Sequence, residues 1–198
     1  AMYDWANSVY SLTITSAVFP AYYEAVTHSE TTDQVEVFGF NFANTAIYSY
    51  ALSLSFLIVV MISPVLSGIA DYSGSKKSFM KFFAYLGAFS CSMLYFFKGP
   101  NLEFGLFFVV LASIGFSGSI VFYNAYLPEI ATPDKHDELS ARGYAFGYIG
   151  SVLLLIFNLA MILKPDLFGI TVDGMAARIS FLSVGIWWFL FSQITFAR

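Results

Sequence analysis

Residues 50–66 read YALSLSFLIVVMISPVL, a run without a single charge. This run constrains the fold more than any other part of the chain, because about 20 mostly apolar residues are what a helix needs to cross the hydrocarbon core of a bilayer. Five more stretches approach that length, and the expected helices fall at 4–25, 43–70, 79–97, 104–128, 140–163 and 179–196. Pro64 lies inside the second run, where neighbouring helices can satisfy the carbonyl it frees. The runs are too long and too continuous for a transmembrane barrel, whose segments alternate in polarity over about 10 residues, so strands are not expected. Composition agrees: the chain is 58% hydrophobic, 20% aromatic and 11% charged, whereas an ordinary soluble domain carries about 25% charge. Its mean hydropathy is +0.71. The expected class is an all-α integral membrane protein surrounded by lipid.

With both termini cytoplasmic, the inside loops hold Lys76, Lys77, Lys81, Lys135, Arg142 and Arg198 against Lys98, Lys164 and Arg178 outside, six against three. The positive-inside rule favours that orientation. The first outside loop, THSETTDQVEV, adds Glu30, Asp33 and Glu36 to Glu24 and has no Lys or Arg. No basic cluster suggests nucleic acid. Cys91 is the single cysteine, which excludes an intrachain disulfide, and His28 and His136 sit far apart in polar loops, so neither a metal nor another cofactor is expected. The chain has no GxSxG, HExxH, Walker A or GxGxxG pattern and no histidine in a membrane run, which argues against an enzyme.

The helix at 4–25 is the anomaly, since it carries Asp4, Asn7, Ser8, Ser11, Thr13, Thr15 and Ser16, and lipid offers no partner to a polar group. Asp4, Ser8, Ser11 and Thr15 are spaced by four, three and four residues and share one face, with Asn7 beside Asp4. Such a stripe lines a wet cavity or a helix interface, while Val9, Leu12 and Phe19 pack elsewhere. The alternative is that the hydroxyls bond back to their own helix and Asp4 caps its N-terminus.

Three more stretches concentrate polarity at helix ends. LSGIADYSGSKKS joins the second and third runs; Gly74 permits a tight turn, and Asp71 can latch onto a helix N-terminus or an arginine, or stand in a solvated turn with Lys76 and Lys77. YNAYLPEIA closes the fourth run with Asn124 and Glu129, and it echoes FPAYYEA on the first, as internal repeats of three helices would. LSARGYAFGYIGS opens the fifth run; Gly143, Gly147 and Gly150 let another backbone approach closely, Ser140 is the expected N-cap, and Arg142 is the expected partner of Glu129 or Asp71.

Taken together, YDWANS, SGIADYSGSKK, FYNAYLPEIA and SARGYAFGYIGS resemble, in order, the vacuole-effluxer-like branch of the major facilitator superfamily, the autophagy-related vacuolar amino-acid effluxers of fungi and their bacterial relatives. The resemblance spans nearly the whole chain. It implies twelve helices in two six-helix bundles, with substrate held between them. This chain would be the amino-terminal bundle, built from two inverted three-helix repeats, and its partner would be a carboxy-terminal bundle absent from the chain or, in a rarer case, a second copy. At the elbow Asp71, Gly74 and Lys76 match the superfamily's signature loop, while Ser67, Tyr72 and Ser75 stand where a glycine and two basic residues are usual, so the acid is kept but not a full charge relay.

The resemblance further implies secondary transport by alternating access of a small polar solute, an amino acid or related metabolite. Within that frame Asn7, Ser8, Ser11, Thr15, Tyr123 and Asn124 are the expected pathway, and Asp4, Asp71, Gly74, Lys76, Glu129 and Arg142 the expected coupling or gating groups. The host membrane would be a bacterial cytoplasmic membrane, or a vacuolar membrane if the source is fungal. The rival expectation is a scaffold or receptor that keeps the fold without transporting.

Overall fold

A computed structural model describes residues 2–28 and 33–197. Glu30 and Arg198, counted above among the loop charges, lie outside the described residues. The chain is all-α, 85% helical, and among the described residues five helices are long and apolar enough to cross a membrane. They are built on α3 (Asn44–Ser73), α4 (Lys76–Met93), α5 (Leu102–Asn124), α7 (His136–Leu163) and α8 (Met175–Phe196), with the short α6 (Leu127–Ile130) between α5 and α7.

The first of the six expected spans is not among those five. Residues 2–27 are helical throughout, but in three pieces: α1 (Met2–Val9), a π-helical segment (Tyr10–Val18) and α2 (Phe19–Thr27). Pro20 supplies a cause. It stands in the first turn of α2, where its missing N–H costs nothing to α2 but denies the upstream turn its i−4 bond. The ladder above it closes through a longer ring instead, with the Phe19 N–H donating to the Ile14 carbonyl. The β-branched Thr13, Ile14, Thr15 and Val18 add to the local reluctance to form an α-helix.

One expectation is corrected outright. The loop after α2 contains strands, a hairpin of β1 (Gln34–Val37) and β2 (Phe40–Ala43) in antiparallel register from Gln34↔Ala43 to Val37↔Phe40. Its two turn residues, Phe38 and Gly39, have φ of 51° and 81°, the signs a tight hairpin turn requires. Val35 and Val37 point into the bundle while Glu36 faces out.

The core is aromatic and closely crossed. Trp188, Phe19, Phe181 and Phe97 are fully buried in the larger cluster; Tyr3, Phe83 and Phe122 anchor a second one. Glycines set the crossings. Gly115 of α5 lies directly on the Gly87 backbone of α4, and Gly118 lies on the Phe83 ring. Ser55 of α3 donates to Ser113 of α5 at 2.8 Å, a buried hydroxyl pair that joins those helices away from lipid. Pro64 sits inside α3 without ending it.

Candidate functional site

The first helix is held at both ends. At its start α7 lies close enough that a Cβ on Gly147 would stand 2.9 Å from the Asp4 carbonyl oxygen, and one on Gly150 would meet the Trp5 ring at 2.9 Å. Trp187 of α8 stacks on Trp5 with ring centroids 5.5 Å apart, and its indole N–H donates to the Trp5 carbonyl at 3.0 Å. At the far end the Tyr22 hydroxyl donates to the Phe97 carbonyl and the Tyr23 hydroxyl to the Asn44 carbonyl, each at 2.9 Å.

Between these clamps the polar face opens on a cavity of about 720 Å³. The first helix contributes Asp4, Asn7, Ser8, Ser11 and Ser16; α5 contributes Tyr123 and Asn124; α7 contributes Tyr144 and Tyr148. A second hollow of about 370 Å³ lies beside it toward α6, and Asp4, Tyr123, Asn124 and Tyr144 border both. The buried Asp4 carboxylate accepts a hydrogen bond from the Tyr123 hydroxyl. That hydrogen-bonded pair thus borders both hollows.

Five of the six expected pathway residues meet here, namely Asn7, Ser8, Ser11, Tyr123 and Asn124. Thr15 does not line the cavity and Ser16 takes its place. The π segment explains the exchange: a register of i→i+5 carries the face from Ser11 to Ser16 rather than to Thr15, and Ser16 Oγ donates to the Ser11 carbonyl at 2.8 Å. Leu12, expected to pack elsewhere, also lines the cavity, whereas Val9 is fully buried in the core. Tyr144 and Tyr148 were not singled out in the sequence; their signal was an i, i+4 aromatic pair flanking Gly147.

The charged elbow lies elsewhere, with a different pairing from the expected one. Lys76 Nζ is 2.8 Å from Asp71 and 2.7 Å from Glu129, so one lysine bridges the end of α3 to α6. Arg142 instead pairs with Glu138, its i−4 neighbour, at 2.6 Å. Gly74, with φ of 64°, ends α3 in the left-handed conformation that a residue with a Cβ disfavours. Ser140 is not an N-cap, because α7 already begins at His136. The three α7 glycines are all buried, as the expected packing face requires. Among the described residues, no three of His, Cys, Asp and Glu come together as a metal would need.

The family profile described as "Vacuole effluxer Atg22 like" matches residues 1–197. The chain belongs to that family. Among its relatives, a Bacillus subtilis protein named an uncharacterized MFS-type transporter, YxiO, is 39% identical over 96% of the chain and 43% of its own length. Autophagy-related protein 22-2 of Aspergillus oryzae is 21% identical over 81% of the chain and 36% of its own length. The chain thus spans about two fifths of the curated relatives it matches. No solved structure matches it. Membership in the Atg22-like family and five apolar helices make this an integral membrane chain. This chain's polar first helix contributes to the lining of both hollows.

Proposed function

We propose that this chain is the amino-terminal bundle of a secondary transporter, six spans in two inverted three-helix repeats counting the π-interrupted helix, with both termini cytoplasmic. A small polar solute, an amino acid or related metabolite, passes along the first-helix cavity by alternating access between this bundle and the remainder of the transporter. The observation that carries the reading is the 720 Å³ cavity itself: in a chain that is 58% hydrophobic, its first-helix wall gathers an acid, an amide and three serines, and α5 adds a second amide. Polar groups at membrane depth are costly unless they face water, one another or a solute. The Asp4–Tyr123 pair is the natural place for passage to be controlled, and the Lys76 bridge holds the elbow in one of the two arrangements.

The test is the reactivity of single cysteines at Ser8, Ser11 and Ser16, in protein lacking Cys91, toward a small polar thiol reagent applied to membranes. Labelling at all three, silence at Val9 and protection by amino acids are expected. Silence along the whole stripe would overturn the pathway and leave a packed interface.

A further inference from the structure

We propose that the seam between α4 and α8 is a lipid site: a phospholipid with an anionic headgroup binds there, its phosphate against Lys77 and Lys81 and one acyl chain along an apolar groove. The groove has a volume of about 520 Å³, within the range of about 300–1,000 Å³ that holds a small molecule. Its walls are Tyr85 and Phe89 of α4 and Ile186, Phe189 and Leu190 of α8, all of them exposed. Its floor is the close crossing of the two helices, where a Cβ on Gly185 would stand 2.6 Å from the Ala88 carbonyl oxygen. The groove shares no lining residue with the polar cavity. Trp188 is fully buried against Gly87 and Tyr10 and Trp187 stacks on Trp5, so α8 turns its indoles toward the first helix and leaves its other side to the groove. In an integral membrane chain, such an apolar outer surface meets acyl chains.

Charge at one end selects the headgroup. Lys81 lies one turn before Tyr85 on α4, and its Nζ stands 5.6 Å from the centroid of Phe196, the ring that also meets Tyr85 edge-on at 5.7 Å. The cation is thus placed at the Tyr85 end of the groove. Lys77 lies one turn earlier on the same face. Among the described residues neither lysine makes an ion pair, whereas Lys76 beside them has two carboxylates. The first turn of α4 holds no acid, so Lys77 sits at the positive end of the helix dipole without compensation, an arrangement that an anion relieves. A phosphate there takes charge-assisted hydrogen bonds from both ammonium groups. Ser92, which also lines the groove, lies about 16 Å along the helix from Lys81, so a headgroup at the lysines leaves its chain to run the length of the groove.

The experiment titrates the detergent-solubilised protein with dioleoyl phosphatidylglycerol or dioleoyl phosphatidylcholine and reads the rise in Tm, each variant's lipid-free melt serving as its own baseline. Phosphatidylglycerol is expected to reach half its effect at a concentration about tenfold lower, the difference a charge-assisted hydrogen bond makes. Lys77→Gln with Lys81→Gln should abolish that difference, while Lys77→Arg with Lys81→Arg keeps it. Glycerol phosphate, which has the anion without the chains, should leave Tm unchanged, and Ile186→Trp, which fills the groove, should weaken the response to both lipids. Equal midpoints in the unsubstituted protein, a preference that survives the glutamine pair, or an Ile186→Trp protein that answers both lipids as before overturns the site. So does a rise in Tm with glycerol phosphate alone, which would assign the lysines to a soluble anion, or a lipid-free dimer that Ile186→Trp dissociates, which would assign the groove to a second copy.

Discussion

Replacing Gly115 with alanine tests the crossing that carries Tyr123 to Asp4. A Cβ built there stands 2.5 Å from the Gly87 Cα and 2.7 Å from the Phe83 carbonyl oxygen, where ordinary contact begins at 3.4 Å. The shortfall of about 0.9 Å is against backbone, so no side-chain rotation relieves it and α4 and α5 must part. Overpacking of this kind costs about 1–3 kcal/mol. Alanine is the better helix former and offsets at most about 1 kcal/mol. The net loss of about 0–2 kcal/mol corresponds, for a chain of 198 residues, to a fall in Tm of up to about 8 °C. Parting the helices also loosens the Phe83–Phe122 stack at 5.9 Å, one residue from Tyr123. The assay is a thermal melt of the detergent-solubilised protein, with labelling of a Ser8 cysteine as a second readout. A raised Tm would refute the close crossing, because alanine would then be adding propensity without meeting the backbone.

Cysteine at Ser16 should label with a polar reagent and cysteine at Thr15 should not; the reverse pattern would mean an uninterrupted α-helix. Tyr123→Phe removes the hydroxyl that donates to Asp4 and should weaken solute protection by about tenfold, as loss of a bond to a charged group does; unchanged protection would show that the pair does not bear on the solute. Lys76→Met strips Asp71 and Glu129 of their shared cation and should speed proteolytic nicking at the elbow around Gly74, while Lys76→Arg should not. Equal nicking rates in both variants would count against the bridge as a latch.

The long apolar blocks were legible because a bilayer leaves a 20-residue hydrophobic run few alternatives. Helix starts were less so. His136, Asp137 and Glu138 read as loop, yet acids in a first turn complement the helix dipole, and α7 absorbs them together with Ser140. α4 likewise begins at Lys76 rather than 79. Arg142 had a partner visible in the sequence, Glu138 four residues earlier, and local geometry won over the long-range pairing. The partners of Lys76 were not legible, because Glu129 comes within reach only through the placement of α6.

The first helix shows the same divide more sharply. An α-helical period finds Asp4, Ser8 and Ser11 but must miss Ser16, since the face turns by a different step from Tyr10 to Val18. The two explanations for its polarity turn out to coexist along its length. Ser11 lines the cavity and also donates to the Ser8 carbonyl at 3.1 Å, and Ser16 does both as well. Thr13 points the other way, with its hydroxyl buried and unpartnered among the described residues. Hydroxyls that satisfy their own backbone need no second helix, so the cavity wall can be polar without being closed. The ends, by contrast, are fixed by Gly147, Trp187, Phe97 and Asn44. The polar helix is accommodated here because its ends are tied to neighbours while its middle turns hydroxyls satisfied by their own backbone toward an open cavity.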